Sequence, residues 1–126
     1  MCLTKVYKRK PAKEGVGWKI FLRSLERGYL KDRFMSGHRK IGPWLVAETS
    51  EYELDDEWGK YRVGFHIYQK EEHAKCASKS RHIIRKVQFR KASSCGYEYV
   101  YSNCYTYSAK APVVVAKEVK ILPLEE

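Results

Sequence analysis

The chain has 126 residues, with 25 Lys and Arg against 15 Asp and Glu, a net charge of +10, ten Tyr and three Trp. That length suits one domain with its own core, and no apolar run approaches the roughly 20 residues needed to cross a bilayer. Residues 1–8 also lack the apolar stretch of an export signal, so the expected setting is the cytoplasm and the expected state of Cys2, Cys76, Cys95 and Cys104 is the thiol.

Residues 3–8 read as a short strand, and residues 8–15, punctuated by Pro11 and Gly15, as a basic loop or arm. Residues 18–23 alternate, with Trp18, Ile20 and Leu22 on one face and Lys19 and Arg23 on the other. Residues 29–34 are expected to pair back on them. Residues 36–43 hold Gly37, Gly42 and Pro43 and read as a loop, followed by a short buried run at 44–47. Residues 48–58 carry six carboxylates, the pattern of a solvated loop.

In residues 62–68, Val63, Phe65 and Ile67 face one way and Arg62, His66 and Tyr68 the other. Gly64 removes a side chain there, which implies a bulge or a closely packed neighbour. Residues 70–79 predict the one helix: Glu71 and Glu72 in the first turn and Lys79 near the end suit the macrodipole, with Ala74, Cys76 and Ala77 as the packed side. Residues 83–90 return to period 2, with Ile83, Val87 and Phe89 inward and Arg85 the exception on that face.

Residues 97–107 are rich in β-formers, with a turn expected at Ser102 and Asn103. Pro112 is expected to open a last strand over 113–122. It reads as buried on both faces at its start and half-exposed at Lys117, Glu118 and Lys120. The sum is an α+β domain: a mainly antiparallel sheet or partly open barrel with one short helix. Residues 62–91, strand–helix–strand, leave room for a parallel crossover.

The charge is uneven. Residues 1–40 hold 12 Lys and Arg against 3 Asp and Glu, while residues 41–80 hold 5 against 8. Such a field favours anionic partners. The cations expected to meet phosphates are Lys5, Lys8, Arg9, Lys10, Lys13, Arg33, Arg39 and Lys40. The other reading of the same residues is a solvated face. Tyr97, Tyr99, Tyr101, Tyr105 and Tyr107 recur at odd positions. They form either a cross-strand aromatic ladder or a platform on which bases stack.

His66, His73, Cys76 and His82 offer a metal only one i, i+3 pair, too few matched ligands for a site. Gly15-Val16-Gly17 lacks the third glycine of a dinucleotide fingerprint, and no cofactor motif is present. The leading expectation is therefore a non-enzymatic protein that binds nucleic acid or a nucleic-acid-handling complex. A pocket for a phosphorylated small molecule such as a nucleotide is the alternative. An enzyme pairing His66 with a carboxylate of 48–57 is a third reading.

Residues 61–68, 71–74, 84–87 and 113–119 resemble small uncharacterised phage and bacterial proteins. The resemblance covers the C-terminal half and rests on β-pattern residues, so it transfers no site. It implies an accessory role against a host nuclease defence, in the host cytoplasm, if the source is a phage.

Overall fold

The computed structural model describes residues 3, 5–7, 10–32, 38–47, 52–55, 59–62, 64–101 and 108–124, with backbone alone at 5, 6, 52–55, 59–62, 101 and 108. The strands are β1 (Lys5–Val6), β2 (Gly15–Arg23), β3 (Tyr29–Asp32), β4 (His38–Lys40), β5 (Trp44–Val46), β6 (Tyr52–Asp55), β7 (Gly59–Arg62), β8 (Phe65–Tyr68), β9 (His82–Tyr101) and β10 (Ser108–Ile121). The helix α1 is Glu71–Ala77. No helix among the described residues is long and apolar enough to cross a membrane.

Eight strands join in one sheet in the order β1-β9-β10-β8-β2-β3-β4, with β5 on β10. β6 and β7 form a separate hairpin. β9 also pairs with β2 along residues 82–89, so β9, β10, β8 and β2 close a circuit. The last link is the single pairing of Trp18 with Tyr68. Every strand pairing among the described residues is antiparallel. The strand–helix–strand segment left open as a parallel crossover takes that direction without direct pairing. β8 and β9 are each antiparallel to both β10 and β2, so they run parallel to one another, joined through α1, with those strands between them.

Alternation sorts the core onto the two faces of this circuit. Phe21, Phe65, Ile67, Val87, Phe89, Val114, Val119 and Ile121 form one buried cluster, inside the circuit. Ile20, Tyr68, Ala74, Val100, Ala111, Val113 and Val115 form a second, outside it. Each large side chain buried this way contributes about 1.5–3 kcal/mol. Seven residues are too few for a stable isolated helix. Ala74, fully buried in the outer cluster, anchors α1 there, and Glu71 pairs with Lys75 at 3.2 Å on its exposed side.

Two glycines sit where the chain passes too close for a side chain. A Cβ on Gly64 would lie 2.6 Å from the Ala116 carbonyl oxygen. One on Gly17 would meet Ile67 Cγ2 and lie 2.7 Å from the Tyr68 carbonyl oxygen. Both glycines therefore fasten the circuit at β8, the sheet's shortest closing element.

β9 and β10 do not run straight. Val115 opposes Ser94 and Ala116 opposes Ala92, so Ser93 is an extra residue in β9. Nearby, Lys91 has a φ of 56°. The inward set changes phase here, from Val114 and Ala116 to Val119 and Ile121.

Several expectations need correction. His38–Lys40 is a strand paired with β3, not part of a loop, since backbone pairing overrides its polar composition. Part of the acidic run, Tyr52–Asp55, is likewise a strand. The run at 44–47 is an edge strand with Val46 half-exposed; only Ala47 is buried. Pro112 lies within β10 rather than opening it. Glu118 is 4% exposed, because the phase change at Lys117 brings it under basic neighbours. The expected turn at Ser102 and Asn103 lies outside the described residues.

Candidate functional site

Beyond the bulge, β9 and β10 continue as a two-stranded ribbon. Cys95, Tyr97 and Tyr99 follow one another on one face by period 2, opposite Val114, Pro112 and Lys110. β1 runs beside them, with Lys5 opposite Tyr97 and the Tyr7 amide donating to the Cys95 carbonyl at 2.8 Å. Three rings therefore gather. Tyr7 and Tyr97 have centroids 6.1 Å apart at 50°, and Tyr97 and Tyr99 are 5.4 Å apart and nearly perpendicular. These are the tilted and edge-to-face geometries that aromatic quadrupoles favour.

The Lys110 ammonium lies 4.9 Å from the Tyr97 ring centroid. Tyr99 is 41% exposed, and Lys110 is exposed beside it. The hydrogen bond shared with Tyr99, then burial, then the neighbouring phenols, hold the Tyr97 hydroxyl above the usual tyrosine range. It stays protonated and able to donate near neutral pH.

The same face runs inward to a cavity of about 250 Å³ where the circuit's core comes to the surface. Phe89, Cys95 and Val114 form its floor, Tyr7 and Pro112 its sides, and Lys10 stands at the rim. Cys95 carries a thiol, as does Cys76.

The sequence-predicted cations scatter. Lys10 reaches the cavity, and the backbone of Lys5 lies opposite Tyr97. Lys13 is exposed where its carbonyl accepts from the Ala92 amide at 3.0 Å. Lys40 sits on β4, at the far edge of the sheet from β1. Lys8, Arg9 and Arg33 lie outside the described residues. Of the tyrosines, Tyr101 is placed by its backbone at the end of β9, and Tyr105 and Tyr107 lie outside the described residues.

Arg39 leaves the candidate surface altogether. It is 8% exposed, its Nε lies 3.6 Å from the Asp32 carboxylate, and its guanidinium lies 5.3 Å from the Phe65 ring centroid. Lys19 reaches the other Asp32 oxygen at 3.7 Å. Arg85, directly opposite Lys19, donates to the Leu122 carbonyl at 2.6 Å, and burial pushes its guanidinium below the usual value. Two of the N-terminal cations, Lys19 and Arg39, are therefore held inside the circuit.

Two site residues were missed, Tyr7 and Lys110. Tyr7 stands two positions after Lys5 and Lys110 two before Pro112, so a strand register through each would have placed them on the tyrosine face. Among the described residues no three His, Cys, Asp or Glu side chains converge as metal ligands. No family model, no curated protein and no solved structure matches the chain.

Proposed function

We propose that this protein binds single-stranded nucleic acid on the Tyr7–Tyr97–Tyr99 face, without catalysis. The observation that carries the reading is the three-ring cluster with the Lys110 ammonium 4.9 Å from its central ring, open to solvent at Tyr99. Rings supply stacking surface that tolerates any base, and cations supply phosphate contacts. The strand circuit is read as a small, partly open barrel whose mouth is the cavity under Lys10. A role within a nucleic-acid-handling complex, including a phage inhibitor of a host nuclease, belongs to the same reading and adds no residue to it.

The cavity favours a second reading. At about 250 Å³ it lies slightly below the usual range for ligand sites. A nucleotide base resting at Tyr97, with its phosphate at Lys10 or Lys110, would use the same rings. Two titrations separate the readings. A labelled oligothymidylate is titrated across salt concentrations, and the protein's melting is followed with single nucleotides. Strand binding gives an affinity that falls steadily with salt and no stabilisation by mononucleotides. Stabilisation by one nucleotide over its relatives, with no oligonucleotide binding at low salt, replaces the first reading by the second.

A further inference from the structure

We infer that the outer face of β5, β10, β9 and β2, bordered by α1 where Glu71 and Lys75 line a cavity with Trp18 and Lys86, is a second contact surface for a single-stranded nucleic acid. It stands on residues separate from the tyrosine face. The registers lay this surface out in rows. Arg90 opposes Glu118, and Glu118 opposes Val46. In the next row Val16, Gln88, Lys120 and Trp44 lie side by side across all four strands. Lys86 opposes Trp18 in the third. Lys86, Gln88 and Lys91 are exposed, and Val16 and Val46 are 46% and 51% exposed at the two margins.

Two features make this more than a solvated sheet. The first is charge. With the adjoining Lys91, the three rows hold Lys86, Arg90 and Lys120 against one carboxylate, Glu118, which pairs with Arg90 and Lys91. Lys86 and Arg90, four residues apart on β9, are spaced by about 13 Å, and Lys120 stands opposite Gln88 between them on the adjacent strand, about 4.8 Å away. That arrangement gives Lys86 and Lys120 as the cations of this face that Glu118 does not pair, with Arg90 and Lys91 beside them.

The second is the state of Arg90. Its guanidinium lies over the Trp44 ring at 3.9 Å from the centroid. Its Nε and one terminal nitrogen both donate to Glu118 Oε1, at 2.9 and 2.7 Å. The guanidinium is therefore held at its edge by a carboxylate and lies over a ring, with its side chain still 41% exposed. A guanidinium held flat this way is a ready stacking surface for an unpaired base, and it loses little rotamer freedom on binding.

The occupant follows from these two features together. An unpaired base can stack at Arg90 while its phosphates meet Lys86 and Lys120, so a single strand uses both features. The test is anisotropy with a labelled oligothymidylate of about 16 nucleotides, the upper site size of one such platform. The Lys86→Gln/Lys120→Gln protein should bind more weakly than the parent. The slope of log affinity against log salt should fall by about 1.4, two phosphates at about 0.7 each. Arg90→Lys, which keeps the charge and loses the plane, should weaken binding with the slope unchanged. Tyr99→Ala should likewise leave the slope intact.

Unchanged affinity and slope in the double lysine variant overturn this surface, whatever Tyr99→Ala does. Loss with the lysine variant but none with Tyr99→Ala keeps this surface and removes the tyrosine face. Oligonucleotides that fail to bind the parent protein at low salt overturn both. Lys86 is exposed and Lys120 half-buried, so the fold is expected to survive their change, and a melting curve confirms it.

Discussion

The inner face of the strand circuit treats charge in opposite ways at two places. Between β2, β3 and β4 it buries Lys19, Arg39 and Asp32 against Phe65, with Arg85 next to Lys19. Along the β9–β10 ribbon the same face opens, and Lys110 and Tyr99 meet solvent. A basic residue counts toward association only in the second setting. Net charge per segment therefore overstates the binding surface wherever a cation alternates inward.

The largest effect that can break this contrast is at Asp32. Asp32→Asn leaves two buried cations facing a neutral group, and removing one partner of a buried ion pair costs about 3–5 kcal/mol. Denaturant unfolding should show a midpoint shift of that size. A loss under about 1 kcal/mol would mean that water reaches the cluster and that its burial does not separate the two places.

Gly17→Ala comes next. The added methyl meets Ile67 and the Tyr68 carbonyl, and overpacking of this kind costs about 1–3 kcal/mol. An unchanged melting temperature would show that β2 and β8 are less tightly closed than the single Trp18–Tyr68 pairing implies. At the open end, Tyr99→Ala should weaken oligonucleotide binding by about 1–3 kcal/mol, the value of one stacked base. Lys110→Gln should lower the salt slope by about 0.7 and leave stability within about 0.5 kcal/mol.

The smallest effect is in acid. Hydrogen bonds from Lys91, then Arg90, hold the Glu118 carboxyl below the usual carboxylate range. A carboxyl lowered in the folded state adds stability that is complete above its unfolded value and is lost as pH falls through the folded one. Urea midpoints measured from neutral to acid pH should therefore fall less steeply for Glu118→Gln than for the parent.

Much of the sheet was legible because alternation is local. Phe65 and Ile67, Val87 and Phe89, and Ala74 on the helix all lie where their spacing puts them. His38–Lys40 was not, because its strand exists only through pairing with β3. Glu118 was misplaced because the phase change near Lys117 and Ser93 leaves no mark in composition. The site was legible in half. The odd-numbered tyrosines announced a face, and Tyr97 and Tyr99 share it with Cys95. The cations that accompany them come from Lys10 and Lys110, at opposite ends of the chain, and no local pattern joins those.

The most direct measurement compares two strands of equal length and equal phosphate count, one oligothymidylate and one abasic, titrated against the protein at one salt concentration. Stacking on the Tyr97 cluster requires the abasic strand to bind more weakly, with the difference shrinking in Tyr99→Ala. Equal affinity for the two strands would mean that charge alone holds nucleic acid and that the rings serve only the sheet.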